Sequence, residues 1–316
     1  MLHTFDIRQG ALVELPSAME RPEGLGTARW IDLVGEDDAE RALLETIYTA
    51  PLPDADDVEE IEASARYFTD EQGIHVHSLF LHYSEGRHRT TSVALILQPN
   101  RLVSLRDTEI ADFRLMRMRT RRGWVKVEEP LDILLSILEQ KVENLADSLE
   151  HVHGQLEDVS YHVLEDEDAE LEDSIDRLAK LEDSSGKIRL CLMDTQRSVS
   201  FIQRHLRTDT ERRAQCLEMQ HDLDTLMAHT TFMFDKINFL MEAAQGFINI
   251  KQSQVIKTFS IAAVVFLPPT MVASVYGMNF RVMPELDWQL GYPFALLVML
   301  LAGLAPYVYF KRKGWL

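Results

Sequence analysis

The stretch TFSIAAVVFLPPTMVASVYGMNF, residues 258–280, runs for 23 residues without a charge, and WQLGYPFALLVMLLAGLAPYVYF, residues 288–310, matches it in length. At a rise of about 1.5 Å per residue, each covers the roughly 30 Å hydrocarbon core of a bilayer with some tilt. Seven residues, Arg281 to Asp287, join the two stretches, so the pair reads as a transmembrane hairpin. Lys251 and Lys257 precede the first span, and Lys311, Arg312 and Lys313 follow the second, against a lone Arg281 in the connector. That bias places both termini in the cytoplasm and the connector outside. Trp288, Tyr292, Tyr307, Tyr309 and Trp315 supply interfacial aromatics.

The hairpin is either an anchor or part of a pore. Its first span holds Pro268-Pro269 and, beyond them, Thr270, Ser274, Tyr276 and Asn279. An anchor has no need of polar groups at bilayer depth, where unsatisfied ones are costly, so these residues favour a pore. Two helices cannot enclose a water path, and conduction then requires several copies around an axis. One face carries Ser253, Ile256, Phe259 or Ser260, Ala263, Leu267, Thr270, Ser274 and Gly277. It is uncharged, with small polar residues outward and large apolar ones inward. Such a face suits a hydrated cation and an apolar constriction that gates by dewetting.

Upstream, proline is absent between Pro130 and Pro268, and glycine stands only at 154, 186 and 246. So few breakers predict very long helices. Breaks are expected in the acidic stretch 165–172 and at Thr208-Asp209, both good N-caps. From about Glu211, Leu223, Leu226, Met227, Thr230, Phe234, Ile237, Leu240, Met241, Ala244 and Ile248 form a stripe at three- and four-residue steps. The stripe suits a core helix or, since it continues into the first span, a stalk. Residues 28–33, 74–81, 92–97 and 102–105 read as strands, with helical composition over 37–48 and 109–119. The chain thus divides into an α/β cytoplasmic domain (1–128), long helices including the stalk (129–257), and a transmembrane hairpin with a basic tail (258–316).

Lys and Arg number 32 against 51 Asp and Glu, a formal net charge of -19. Nucleic acid is excluded as a partner by repulsion, whereas cations are compatible. Cys191 and Cys216 lack metal-ligand spacing and read as buried thiols of a reduced compartment. The N-terminus has neither a basic region nor an apolar run, so no secretory signal peptide is expected. Gly186-Lys187 lacks the remainder of a P-loop, and no nucleophile–base arrangement is evident. The chain is not expected to be an enzyme. His75 and His77 alternate on a strand, and His151 and His153 lie two apart on a helix. Without a third ligand, structural or surface histidine is the reading preferred to zinc.

Tyr276-Gly277-Met278-Asn279-Phe280, followed by Met283-Pro284-Glu285-Leu286, closely resembles CorA, the bacterial magnesium channel family. Residues 264–270, 301–307, 311–316, 57–67 and 189–197 look like its enterobacterial-type branch. The resemblance implies a funnel-shaped homopentamer of the bacterial inner membrane. It also implies channel-type uptake of hydrated Mg2+, with Co2+ and Ni2+, driven by membrane potential and gated by cytoplasmic Mg2+. Gly277, Met278 and Asn279 would form the outer selectivity element, and Ser253, Ile256, Leu267 and Thr270 the pore-facing rings. The family often has asparagine where this chain has Ser253, so the inner ring here would hold the ion less firmly. No cofactor beyond bound Mg2+ is implied. The partners are further copies of the chain, divalent cations and membrane lipid.

The chemistry fits those residues. Magnesium dehydrates reluctantly, and amide oxygens of Asn279 can accept hydrogen bonds from its waters without binding too tightly for release. A divalent ion gains roughly 4.6 kcal/mol per 100 mV of membrane potential, so a gate suffices without a pump. Glu285 and Asp287 either concentrate cations at the mouth or are inert surface carboxylates. The acidic run between Glu139 and Asp183 is either a solvated helix face or a sink for cytoplasmic magnesium that holds the funnel closed. Asp222 and Asp224 are the candidate regulatory ligands. Two alternatives remain: a zinc transporter of the same superfamily, which Met283-Pro284-Glu285-Leu286 disfavours, and a non-conducting membrane-anchored metal sensor.

Overall fold

A computed structural model describes residues 1–16, 23–35, 38–45, 66–166, 170–206, 209–279, 283–284 and 287–314. Among these, the strands are β1 (Leu2–Arg8), β2 (Ala11–Glu14), β3 (Trp30–Val34), β4 (Tyr67–Thr69), β5 (Ile74–Ser84), β6 (Arg87–Leu97) and β7 (Leu102–Arg106). They form one sheet in the order β2-β1-β3-β7-β6-β5-β4. Only the central pair β3 and β7 is parallel, with Ile31 opposite Val103. The long β5–β6 hairpin turns on Glu85 and Gly86, at φ 53° and 76°. Two positive φ values in a two-residue loop match the right-handed twist of the flanking strands. Gly73 has a different reason to be glycine: an added Cβ would lie 2.1 Å from the carbonyl oxygen of Leu97.

Strand alternation gives the sheet two buried faces. On one, Leu2, Ile31, Leu33, Ala94, Ile96, Val103 and Leu105 pack with Leu25 of α1 (Glu23–Thr27), Ala28 just after it and Leu44 of α2 (Asp38–Glu45). The other carries Phe5, Trp30, Phe80 and Leu95, covered by α3 (Ala111–Arg121), α4 (Pro130–Leu164) and α5 (Leu171–His205). Four strands lie where alternation predicts them. β1, β2 and β4 are not among the strands that alternation predicts. β2 and β4 are short edge strands, and Phe5 and Ile7 of β1 fall out of step with Leu2 and Thr4.

Helix starts follow the local chemistry. Pro130 opens α4, where its missing amide costs nothing, and the Asp132 carboxylate accepts the N–H groups of Glu128 and Glu129. Asp209 Oδ1 accepts the N–H of Arg212 at 3.1 Å and caps α6 (Thr210–Tyr276). The Arg212 guanidinium also reaches Asp132 at 2.7 Å, which joins the starts of α4 and α6. The break between α4 and α5 falls in the acidic stretch; Glu167 and Asp168 there lie outside the described residues.

α6 runs unbroken for 67 residues, several times the length needed to cross a bilayer core. Of its stripe, Leu223, Thr230, Ile237, Leu240 and Ala244 are fully buried. α7 (Gly291–Arg312) is the second apolar helix, beginning three residues later than the charge-free stretch. Two compact units result, Met1–Met241 and Glu242–Leu316.

Candidate functional site

In the C-terminal unit, Pro268 and Pro269 lie inside α6. Neither has an amide hydrogen, so the carbonyls of Val264 and Val265 lose their i+4 donors. α7 meets the helix here. Ile261 is buried and Val265, Pro269, Val272 and Tyr276 are partly covered. A Cβ built on Gly303 of α7 would sit 3.2 Å from Pro269 Cγ and 3.6 Å from the Val265 oxygen. The small residue is what lets the two helices approach. We expect Gly303→Leu to cost about 1–3 kcal/mol through overpacking, read as a lower thermal midpoint of the detergent-solubilised protein. A wild-type midpoint would show that the hairpin gives way freely.

The opposite face of α6 is the one singled out as pore-lining. Ser253, Ile256, Leu267, Thr270 and Ser274 are all exposed in the single chain. Thr270 Oγ1 donates to the Phe266 carbonyl at 2.8 Å. Its proton is therefore used on the helix's own backbone, and its lone pairs face outward as acceptors. α7 thus occupies one side of α6 and leaves the small polar side without cover among the described residues.

Gly277, Met278 and Asn279 follow the last helical residue. The Gly277 N–H reaches Ala273 O at 2.9 Å and the Met278 N–H reaches Val275 O at 3.4 Å, which closes the final turn. A Cβ on Gly277 would lie 3.2 Å from the Ala273 oxygen, tight enough to disturb that closure. Met278 and Asn279 are exposed. Asp287 is exposed as well, while Glu285 lies outside the described residues.

Among the described residues, the candidate regulatory ligands Asp222 and Asp224 belong to no group of metal-ligating side chains. Asp222 is exposed. Asp224 accepts a hydrogen bond from Gln196 at 2.7 Å and lines a groove that also holds Arg197 and Arg204. Among the described residues, no group of three or more His, Cys, Asp or Glu is placed to hold a metal. His75 and His77 share a face beneath Phe68, with His75 Nε2 3.0 Å from Asp70. Burial, helped by His75 and Arg66, pushes His77 down to about 4. His151 is exposed, and His153 meets His229 of α6 at 5.3 Å between ring centroids. Burial pushes the Cys191 thiol up to about 12 and Cys216 up to about 11, so both are buried and unreactive.

Two buried charge clusters, absent from the sequence reading, fasten the sheet to its helices. Asp32 accepts from Arg106 at 2.8 Å, from Arg117 at 2.9 Å and from Ser104 at 2.7 Å. Asp194 of α5 accepts from Ser78 at 2.6 Å, Tyr67 at 2.7 Å and the Leu79 N–H at 2.8 Å, and stands 3.4 Å from Lys141 of α4. Lys141 and these donors hold its carboxyl below the usual range despite burial. Asp194 lies within residues 189–197, whose family resemblance is its signal in the sequence.

Comparison with known proteins gives a consistent result. The family described as "CorA-like Mg2+ transporter protein" matches residues 26–312. A "Magnesium transport protein CorA" from Salmonella typhimurium is 45% identical over 318 residues, covering 100% of both chains. One of the same name from Escherichia coli is likewise 45% identical over 100% of both. Among solved structures, the complete CorA magnesium transporter from Methanocaldococcus jannaschii aligns at TM-score 0.79 and 18% identity, over 100% of this chain and 99% of that one. The cytoplasmic domain of ZntB from Vibrio parahaemolyticus aligns at TM-score 0.58 and 12% identity, over 78% and 97%. At those identities the structural matches show the fold: a soluble α/β domain, long helices and two C-terminal apolar helices.

Proposed function

The chain belongs to the CorA-like Mg2+ transporter family, and from that premise we propose that it carries hydrated Mg2+, with Co2+ and Ni2+, inward across the bacterial inner membrane. The observation that carries this reading is 45% identity over the full length to proteins named for magnesium transport. The free polar face of α6 supplies the physical route. Five copies around an axis would turn Ser253, Ile256, Leu267, Thr270 and Ser274 into rings, with Gly277, Met278 and Asn279 at the outer mouth. Both termini lie in the cytoplasm, and lipid surrounds the hairpin. Residues 1–128 and 129–257 form the cytoplasmic mouth and stalk, and 258–316 the membrane part. Bound Mg2+ is the sole cofactor. The zinc reading has weaker support, since the ZntB likeness is 12% identical.

The outward oxygen lone pairs of Thr270, and the amide of Asn279, suit water-clad magnesium, which resists dehydration. Membrane potential drives the ion inward, and a gate sets the rate. The closing magnesium ions bridge neighbouring copies near Asp222 and Asp224, where they relieve repulsion between acidic faces; among the described residues of one chain these two carboxylates join no metal-binding group. The test is uptake by sealed liposomes bearing the purified chain and a negative-inside potential; no uptake above empty liposomes would refute conduction. Conductance is also expected to rise when magnesium on the cytoplasmic side is chelated. Equal conductance in millimolar magnesium and in chelator would sink the gating assignment.

A further inference from the structure

The tip of the β5–β6 hairpin meets α4 and α5 around a cavity of about 170 Å³, lined among others by Tyr83, His88, His151, Arg177, Lys180 and Ser184. Its charge is opposite to that of its surroundings. The first half of α5 is acidic, with Glu172, Asp173, Asp176, Glu182 and Asp183. Yet the α5 positions that line the cavity, Arg177, Lys180, Leu181 and Ser184, follow three- and four-residue steps and include no carboxylate. Helical spacing places Arg177 and Lys180 of this acidic half on the cavity side. The nearest acids are engaged: Asp176 holds Lys180 at 2.6 Å and Asp183 holds Lys187 at 2.7 Å. Arg177 has no ion-pair or hydrogen-bond partner among the described residues.

A second observation points to a ligand. His88 is 7% exposed, and its Nδ1 is buried with no hydrogen-bond partner. Buried polar atoms are seldom left so. Burial, then the positive charges of His151 and Lys187, lower its pKa against the opposing pull of Asp183. The groups facing it are thus His151 from α4 and the Lys187–Asp183 ion pair from α5, which adds no net charge. An anion in the cavity would reverse that balance, supplying a partner for the ring and favouring its protonated form. Tyr83, 65% exposed and edge-on to His88 at 5.3 Å, leaves a ring face open beside the cavity.

We propose that this cavity binds a small phosphate-bearing anion, clamped by the Arg177 guanidinium and hydrogen-bonded by a His88 that takes up a proton as the ligand binds. Guanidinium matches phosphate in planar two-point geometry. Inorganic phosphate and a nucleotide share this chemistry, and the open face of Tyr83 suits stacking by the base of the latter. The site is independent of ion conduction. It lies on the Met1–Met241 unit and uses no residue assigned to the pore.

The proton linkage has a definite sign. A ligand that raises the His88 pKa binds with proton uptake, so affinity is high at acidic pH and falls as pH rises through the bound-state pKa. Calorimetric titration of the full chain in detergent, free of divalent ions, tests this with inorganic phosphate and with ATP at pH 6.0 and 8.0. We expect binding that weakens about ten-fold at the higher pH. Arg177→Glu should weaken it at least ten-fold further at either pH. Arg177 is exposed, so that variant keeps the wild-type thermal midpoint. His88→Gln should remove most of the pH dependence. Tighter binding of ATP identifies a nucleotide, and equal affinity identifies phosphate alone; either supports the site. No heat with either probe, or Arg177→Glu binding like wild type, overturns it.

Discussion

Liposomes carrying the Asn279→Ala chain are expected to take up Mg2+ no faster than empty ones, whereas wild-type liposomes fill down a negative-inside potential. Asn279 stands three residues past the end of α6, exposed, on a backbone held by the Gly277 and Met278 amides. In the proposed assembly of five it would contribute a ring of neutral oxygens at the mouth. Such a ring accepts hydrogen bonds from the waters of an ion that keeps its shell, and it releases the ion because no full charge holds it. Alanine removes the acceptor and leaves the helix end unchanged, so the loss should fall on flux and not on assembly. Size-exclusion elution of the variant at the wild-type volume establishes the second point. Asn279→Asp should also fail, for the opposite reason: a ring of carboxylates binds the cation too firmly to let it leave. Unchanged uptake in Asn279→Ala removes the residue from its assigned role.

Lys141→Met is expected to destabilise the soluble unit by about 3–5 kcal/mol, the range for breaking one partner of a buried ion pair. Lys141 is 1% exposed; its Nζ lies 2.8 Å from Ser78 Oγ, 3.4 Å from Asp194 Oδ2 and 4.6 Å from the centre of the Phe80 ring. Methionine nearly fills the volume. It leaves Asp194 charged in the core with Ser78, Tyr67 and the Leu79 amide still aimed at it. The measurement is the shift in thermal midpoint of the detergent-solubilised chain, together with faster hydrogen exchange at the Leu79 amide. A double substitution, Lys141→Met with Asp194→Leu, should recover part of the loss, because it also removes the buried carboxylate; Arg66, the other cation beside Asp194 at 3.6 Å, is 18% exposed and can be hydrated. If the single variant melts like wild type, the pair contributes no stability and Asp194 is held by its neutral donors together with Arg66, 3.6 Å away.

Much of the architecture can be read without coordinates because it depends on local patterns. A bilayer-length stretch either contains a charge or does not, and a run without proline either continues as helix or meets a cap such as Asp209. The same holds for Gly277-Met278-Asn279, whose place at a helix end follows from where the charge-free span stops. The candidate pore face was legible too, since helical spacing alone groups Ser253, Ile256, Leu267, Thr270 and Ser274. What spacing cannot say is which side of α6 the second apolar helix occupies. The contact of Gly303 with Pro269 and Val265 decides that.

The sequence by itself therefore determined the hairpin, the long helices, the central strands and the helix-end tripeptide. Only the tertiary structure decided where charge is buried. Lys141 and Asp194 lie 53 positions apart, and Arg106 and Asp32 lie 74 apart. Each taken alone reads as a solvent-facing residue, which is the usual state of an unpaired charge. Burial becomes tolerable only when the fold brings the opposite charge and enough donors to the same point. A partner that distant leaves no periodic trace along the chain. The cationic cavity beside His88 arises in the same way: the spacing that turns Arg177 and Lys180 to one face of α5 is local, but the hairpin tip that closes over them is not.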